Sequence, residues 1–424
     1  MRPARLVFVA VLLVLTVPVR AAEKLSDVRG ISRASFNHNA SRVVVRAQEN
    51  AVTIWELPKG TPVAGDLDPK METDGFLMSA DGKLVAISFK DSGCRVFDPE
   101  TAKAISPRLD FRLNTELQVP AVFSPEGRTL LLFTDKEVAA FEIQTGKKLA
   151  TLLLGEDARS SEGFGDSTGS AAFAADGTQC FVMDTQGNVI RYDTKTWKAA
   201  GKRLHHPSDQ YAYEFGFAVT DDGKWLVTYD DPGENGPKSH LQAWDAAASK
   251  AVGKPVTERN GLVGRFFSNN RVLVLPGRGE ATVRELPSMK VAYALPMHDD
   301  IDGPRAEISP DGKWILAWGA DKRLDLVDAA TGKVAGNFQA QSVISKVIVG
   351  PDATSCYIVL EGAENQSLAR LALPELKVAE PLPISDFVLA VSLSRDGKRL
   401  MIQHGGSDEE RLDVYDAATL KPVE

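Results

Sequence analysis

The chain has 424 residues, of which 43% are hydrophobic and 25% are charged, the proportions of a folded globular protein. This balance excludes a disordered chain, a collagen-like fibre and a membrane protein with several spans. The formal net charge of −8 argues against a nucleic-acid partner, because phosphate binding requires clustered Lys and Arg. The length, roughly three times that of an average domain, requires several domains or one large repetitive domain.

Residues 1–21 have the layout of a secretory signal peptide. A basic start precedes an apolar run from Leu6 to Val19, and Ala21 supplies the small side chain before a cleavage site. The run is shorter than the about 20 apolar residues of a transmembrane helix. We therefore predict cleavage after Ala21, export to the periplasm or the extracellular space, and no membrane span in the mature chain. An uncleaved membrane anchor is the alternative.

Export permits disulfides, but the chain has only Cys94, Cys180 and Cys356. Disulfide frameworks have even and dense cysteine counts. We expect these three residues to be unpaired, small apolar side chains within strands.

One pattern recurs nine times along residues 22–424. In its clearest copy, Ser309-Pro310-Asp311-Gly312 separates two apolar runs, and the turn Thr331-Gly332-Lys333 follows a third run. Asp-Gly or Asn at the central position allows the positive φ of a tight turn, so each marker predicts a hairpin. The nine markers are Asn39-Ala40, Asp81-Gly82, Glu126-Gly127, Asp176-Gly177, Asp222-Gly223, Asn269-Asn270, Asp311-Gly312, Asp352-Ala353 and Asp396-Gly397.

The third run of most repeats ends in an aromatic residue followed by an acid, as in Trp55-Glu56 and Trp244-Asp245. Four strands in each repeat of this length are typical of a propeller blade. We therefore predict an all-β fold, a single closed β-propeller of nine four-stranded antiparallel blades. Eight blades are the alternative, because residues 263–296 form the weakest repeat. The segment from Glu23 to Ser26 is expected to supply the missing fourth strand of the last blade and so to remove exposed edges.

The Ser-Pro-Asp-Gly hairpin, the aromatic-acid strand end and the Thr-Gly-Lys turn resemble those of the WD-repeat family over essentially residues 23–424. The resemblance implies a propeller in which the turns after the first and third strands lie on a lower face, and the other connections on an upper face. The Gly-His pair that opens each repeat of that family is missing here. We therefore expect the family's buried His-to-Asp hydrogen bonds to be lost and apolar packing to hold the blades together.

Candidate binding residues lie in the upper connections, since variable loops on a rigid scaffold carry binding groups. The alternative is that these polar side chains merely populate exposed loops. The candidates are His205, His206, Tyr211, Tyr213, Asp230, Asp231, His240, His298, Asp299 and Asp300.

No motif in the sequence meets the requirements of a metal site, a catalytic nucleophile or a cofactor site. The spacing of His206, Asp230 and His240 matches no compact metal motif. The G-x-S-x-G match at 165–169 lacks the strand and helix that a nucleophile elbow needs. The stretch Asp328 to Lys333 is similar to the docking motif of quinone-dependent propellers, but the required Trp is absent. We predict no catalytic residue, metal or cofactor.

The sequence thus favours a monomeric, exported, non-catalytic scaffold whose upper face engages a protein or an extracellular polymer. The alternative is a propeller hydrolase or lactonase with a His/Asp or metal site at the channel mouth. The scaffold interpretation predicts that His206, Asp230 and His240 are scattered by more than about 8 Å, whereas an active site requires hydrogen-bond or ligand distances.

Overall fold

All but one of the regular elements in the described part of the chain are β-strands. A computed structural model describes residues 24–47, 51–64, 67, 73–89, 93–109, 121–133, 137–154, 171–184, 187–207, 214–231, 238–258, 262–268, 270–277, 279–296, 298, 305–362, 365–406 and 409–423. One 3₁₀ helix, Leu25–Asp27, precedes the strands.

Nine antiparallel sheets follow one another along the described chain, and each is one blade. Blade one contains β1 (Arg33–Phe36), β2 (Arg42–Arg46), β3 (Val52–Glu56) and β4 (Thr61–Ala64); blade two, β5 (Thr73–Met78), β6 (Val85–Phe89), β7 (Gly93–Asp98) and β8 (Lys103–Ala104); blade three, β9 (Ala121–Phe123), β10 (Thr129–Phe133), β11 (Glu137–Glu142) and β12 (Lys148–Leu154). Blade four contains β13 (Ala171–Phe173), β14 (Gln179–Met183), β15 (Val189–Asp193) and β16 (Lys198–Ala199); blade five, β17 (Glu214–Val219), β18 (Trp225–Asp231), β19 (Ser239–Asp245) and β20 (Lys250–Glu258); blade six, β21 (Leu262–Ser268), β22 (Arg271–Pro276), β23 (Thr282–Glu285) and β24 (Lys290–Ala294).

The last three blades complete the ring. Blade seven contains β25 (Arg305–Ile308), β26 (Trp314–Trp318), β27 (Arg323–Asp328) and β28 (Val334–Gln339); blade eight, β29 (Val343–Val349), β30 (Ser355–Glu361), β31 (Gln366–Ala372), β32 (Lys377–Val378) and β33 (Leu382–Ile384); blade nine, β34 (Val388–Leu393), β35 (Arg399–His404) and β36 (Arg411–Asp416). In blade eight, β32 and β33 both pair with β31, as two halves of one fourth strand. The predicted nine-bladed propeller is confirmed, and the eight-blade alternative is wrong, because residues 263–296 form a complete blade.

Turn chemistry explains the repeated marker. In blade two, the Asp81 carboxylate accepts hydrogen bonds from Ser79 Oγ at 2.7 Å and from the Lys83 backbone N–H at 3.1 Å, and Gly82 has φ +69°. Two of the three markers without glycine adopt the same left-handed conformation, at Ala40 and Ala353, whereas Asn269 of the third marker lies outside the described residues. The same turn geometry therefore forms with either glycine or alanine at this position, although glycine adopts a positive φ at a lower energetic cost.

Apolar side chains pack between the blades, one cluster for each of the nine neighbouring pairs in the described chain. The second strand of blade three illustrates the arrangement, because all its side chains are buried. Leu130 and Leu132 contact blade two, whereas Leu131 and Phe133 contact blade four. A strand covered on both faces needs a continuous apolar run, which is what the sequence contains.

The ring closes between blades nine and one, but without the expected N-terminal strand. Leu412 and Val414 of blade nine pack with Val43 and Trp55 of blade one. The prediction that Glu23 to Ser26 forms a strand is wrong for its described part, which lies in and beside the 3₁₀ helix. The Leu25 N–H donates to Gly60 O in blade one at 2.8 Å, and the Leu25, Val28 and Ile31 side chains pack with Leu412 and Val414 of blade nine, so the segment contributes apolar packing to the closure rather than a strand.

The C-terminal residues pair with β36 themselves. Tyr415 forms an isolated bridge with Pro422, and the Val423 N–H donates to Val414 O at 2.7 Å. These residues take part of the fourth-strand position in blade nine.

The three cysteines are free and buried. Burial raises the thiol pKa of Cys94 and of Cys356 to about 12, so the neutral form predominates. Their predicted role as small apolar residues within strands is confirmed.

Candidate functional site

Three candidate residues of the upper connections converge in blade five: His206, Asp230 and His240, which we call the blade-five cluster. Asp230 Oδ2 lies 3.4 Å from His206 Nε2 and 3.5 Å from His240 Nδ1. The other carboxylate oxygen, Oδ1, accepts the His240 backbone N–H. One carboxylate therefore faces two imidazoles and fixes the start of β19.

Blade geometry brings these residues together. Asp230 is near the end of β18 and His240 near the start of β19, and the adjacent pair in the ladder is Tyr229 with Leu241. The two side chains are thus cross-strand neighbours at the mouth of the same hairpin, despite ten positions of sequence separation. His206 reaches them from the connection that enters the blade, where its ring packs edge-on against Phe215 at 5.7 Å between centroids.

His206 also links two blades. Its Nδ1 lies 2.7 Å from Thr228 Oγ1, which accepts the Trp244 indole N–H at 3.0 Å. Its backbone N–H donates to Asn188 Oδ1 in blade four at 3.3 Å. The cluster is therefore part of a hydrogen-bonded network running from the upper connection into the third strand.

The blade-five cluster is largely buried. The His206 side chain is fully buried, that of Asp230 is 2% exposed and that of His240 is 13% exposed. His206 Nε2 and His240 Nδ1 are buried without a geometrically satisfactory hydrogen bond. The carboxylate is held between two imidazoles by proximity rather than by ideal hydrogen bonds.

One expectation from the sequence is wrong, because His206, Asp230 and His240 are not scattered. Histidine and aspartate side chains meet in blade five, but His206 Nε2 and His240 Nδ1 make no satisfactory hydrogen bond there. His206 comes from the connection that enters the blade, and the residue before it is His205 rather than glycine.

Blade seven has a second cluster, centred on His298. Its Nδ1 lies 3.0 Å from Asp321 Oδ2, and its Nε2 lies 3.5 Å from Asp325 Oδ2. Asp325 is fully buried, and its Oδ1 accepts Arg323 Nε–H at 2.9 Å. The Arg323 guanidinium supplies the opposite charge that a buried carboxylate requires.

Blade nine has a third cluster, which we call the blade-nine cluster. Here one histidine lies between two aspartates, whereas in blade five one aspartate lies between two histidines. His404 Nε2 lies 2.8 Å from Asp413 Oδ2, and Nδ1 lies 3.3 Å from Asp386 Oδ2. The hydrogen bond to Asp413, followed by the charges of both carboxylates, raises the pKa of His404 against the opposing effect of burial. The same contact lowers the pKa of Asp413.

The three clusters use equivalent places: the connection entering the blade, the end of the second strand or its following turn, and the third strand. The candidates chosen from the sequence do not include Asp321, Asp325, Asp386, His404 or Asp413. The signal was present, since His and Asp recur at these places in alternate blades, but it emerges only after the strands are aligned between blades.

The His404 contacts predict a pH dependence of stability. Because the folded-state pKa of His404 is raised, its stabilisation is complete below its unfolded pKa of about 6.5 and is lost as the pH rises through the folded value. The Asp413 contribution is lost at the acidic end, as the pH falls through its lowered pKa. In urea titrations, the free energy of unfolding should fall more between pH 6 and 9 for the wild type than for His404→Gln. We expect a difference of about 1 kcal/mol, because both aspartates are partly exposed and screened. Parallel curves for the two proteins would contradict this assignment.

The other candidates are not brought into these clusters. His205 is exposed beside His206. Tyr211, Tyr213, Asp299 and Asp300 lie outside the described residues, as does the side chain of Asp231. Among the described residues, no group of three or more His, Cys, Asp or Glu offers a suitable set of ligands for one metal ion. No helix in the described part of the chain is long and apolar enough to span a membrane.

No protein-family model and no curated protein matches the sequence. Solved structures match in fold. A eukaryotic initiation factor superposes with a TM-score of 0.68 at 13% identity, covering 92% of this chain and 95% of its own. The C-terminal WD40 domain of Sif2 superposes with a TM-score of 0.52 at 11% identity, covering 83% and 98%. The computationally designed protein Ika8 gives 0.50 at 14%, covering 86% and 100%. At these identities the likeness concerns architecture, and the chain has the WD-like β-propeller fold.

Proposed function

We propose that this protein is an exported, monomeric, non-catalytic scaffold whose upper face binds a protein or an extracellular polymer. The observation that carries the proposal is the burial of the blade-five cluster. The His206 and Asp230 side chains are withdrawn from solvent, and His206 is hydrogen-bonded to Asn188 of blade four, so these potentially reactive groups contribute to the framework of the propeller. The exposed positions of the upper connections, such as His205, remain available to a partner.

Export rests on the signal-like residues 1–21. Sequencing the N-terminus of protein recovered from the culture medium or the periplasm tests it, with Ala22 as the expected first residue. Recovery only from the cytosol with residues 1–21 intact would contradict export.

Photo-cross-linking tests which face binds. A benzophenone amino acid replaces His205 on the upper face, and the matched control replaces Lys313, an exposed residue of a lower turn. We expect discrete adducts from position 205 and few from position 313. Adducts confined to position 313 would overturn the assignment of the binding face.

A hydrolase or lactonase is the second candidate, and the convergence of His206, Asp230 and His240 within 3.5 Å is the observation that favours it. Two measurements separate the candidates: metal content of the purified mature protein, and turnover of simple lactones and aryl esters. A stoichiometric bound ion, or turnover abolished in His240→Ala, would overturn the scaffold proposal.

A further inference from the structure

An exposed apolar pair distinguishes the upper side of blade nine. Most exposed large apolar residues of the described chain are single residues in or next to fourth strands, a normal feature of protein surfaces. They are Val63, Ile105, Leu149, Val291, Val334 and Val378. The exceptions are Phe387, which is 61% exposed, and Leu389, which is 37% exposed, at the entry to β34.

The backbone beneath this pair is held in place. The Gly405 N–H donates to Phe387 O at 2.9 Å, and the Val388 N–H donates to Gln366 Oε1 at 2.6 Å. Lys346 Nζ donates to the carbonyl oxygens of Val388 and Leu389. Val388 itself is buried between blades eight and nine. Phe387 is therefore presented by a fixed main chain, which reduces the entropy lost when a partner binds.

Acidic residues adjoin the pair in sequence and through the backbone contact of Gly405. Asp386 precedes Phe387, and Glu409, whose N–H donates to Gly406 O at 2.9 Å, is followed by Glu410. Asp413 lies beyond His404 in the blade-nine cluster. Three cationic groups belong to the same region: Lys346, whose ammonium is bonded to the carbonyls beneath the pair, the exposed Arg411, and His404, whose pKa Asp413 and Asp386 raise. The four carboxylates of Asp386, Glu409, Glu410 and Asp413 outnumber them.

We propose that Phe387 and Leu389, with the acidic residues Asp386, Glu409 and Glu410, form a docking patch for a basic, extended segment of a partner protein. The proposal rests on the scaffold function above and specifies its partner. A guanidinium or ammonium stacks on the Phe387 ring and meets the carboxylates, while an aliphatic neighbour covers Leu389. An aromatic anchor at the centre of a polar rim is the usual form of a binding hot spot.

Fluorescence anisotropy with synthetic peptides tests the patch on the mature full-length protein. The probe is a labelled, end-blocked dodecapeptide of alternating Gly, Arg and Leu, and its controls carry Glu or Gln in place of Arg. We expect the Arg peptide to bind at low ionic strength, with at least tenfold weaker binding to Phe387→Ala. Asp386→Asn should weaken binding about threefold and flatten its salt dependence. Val378→Ala, an exposed outer-strand control, should bind like the wild type.

Several outcomes would overturn the proposal. These are no binding of the Arg peptide to the wild type, equal binding of the Glu peptide, and binding that is unchanged in Phe387→Ala when circular dichroism shows that variant to be folded. Tighter, Phe387-dependent binding of a chitosan hexamer would assign the patch to a polysaccharide instead. Adducts from position 205 in the cross-linking experiment, together with a failed peptide experiment, would leave the scaffold function standing and reject this patch alone.

Discussion

Replacing Asp230 with alanine is expected to lower the free energy of unfolding by about 3 kcal/mol, because its removal leaves buried polar groups without their partner. The substitution removes the acceptor for the His240 backbone N–H and the carboxylate that faces both imidazoles of the blade-five cluster. Of these groups only the His240 side chain, which is 13% exposed, has access to water. Urea denaturation followed by tryptophan fluorescence measures the loss.

Two variants locate the origin of this effect. Asp230→Asn keeps an oxygen for the His240 N–H but removes the charge, and it should lose about half as much free energy. Asp221→Ala, at an exposed aspartate in the lower turn of the same blade, should change stability by no more than about 0.5 kcal/mol. Equal losses in Asp230→Ala and Asp221→Ala would contradict the structural role assigned to the cluster.

The fold was predictable because its determinants are local and repeated. A marker such as Asp81-Gly82 specifies a turn, and the buried runs beside it, such as Thr129–Phe133, specify strands covered on both faces. Similar residues recur in nearly every blade. A strand or turn that is ambiguous in one repeat can therefore be assigned from the equivalent position in the others. Even the degenerate marker at Asp352-Ala353 keeps the left-handed conformation.

The site was less predictable because its contacts are not local. His206 reaches Thr228 and Asp230 from an irregular connection whose path no periodicity describes. The predicted closing strand is wrong for a related reason: Leu25, Val28 and Ile31 pack between blades one and nine instead, and a contact made only at one end of the chain has no repeated signal. The repeat can therefore be predicted from the sequence, whereas contacts that occur in only one or a few repeats can be identified only from coordinates.

Replacing Gly82 with alanine should destabilise the protein by about 3 kcal/mol, considerably more than the same change at Gly127. Both glycines occupy the same turn position, with φ of +69° and +68°, so each alanine incurs the same left-handed strain of about 1 kcal/mol. The surroundings differ. A Cβ at Gly82 would lie 2.6 Å from the backbone nitrogen of His38, whose N–H donates to Gly82 O. At Gly127 the obstacle at 3.0 Å is the side-chain methyl of Leu84, which can move aside.

The pair therefore separates backbone strain from contact between neighbouring blades. Gly127→Ala should lose about 1 kcal/mol in urea denaturation, and the remaining difference of about 2 kcal/mol measures the displacement of the blade-one turn from blade two. Native-state hydrogen exchange should place that displacement at His38 in Gly82→Ala, with no counterpart in Gly127→Ala. Losses of the same size in both variants would mean that separating the two blades at this contact does not change the free energy of unfolding. The close packing of lower turns would then contribute nothing to holding the ring together.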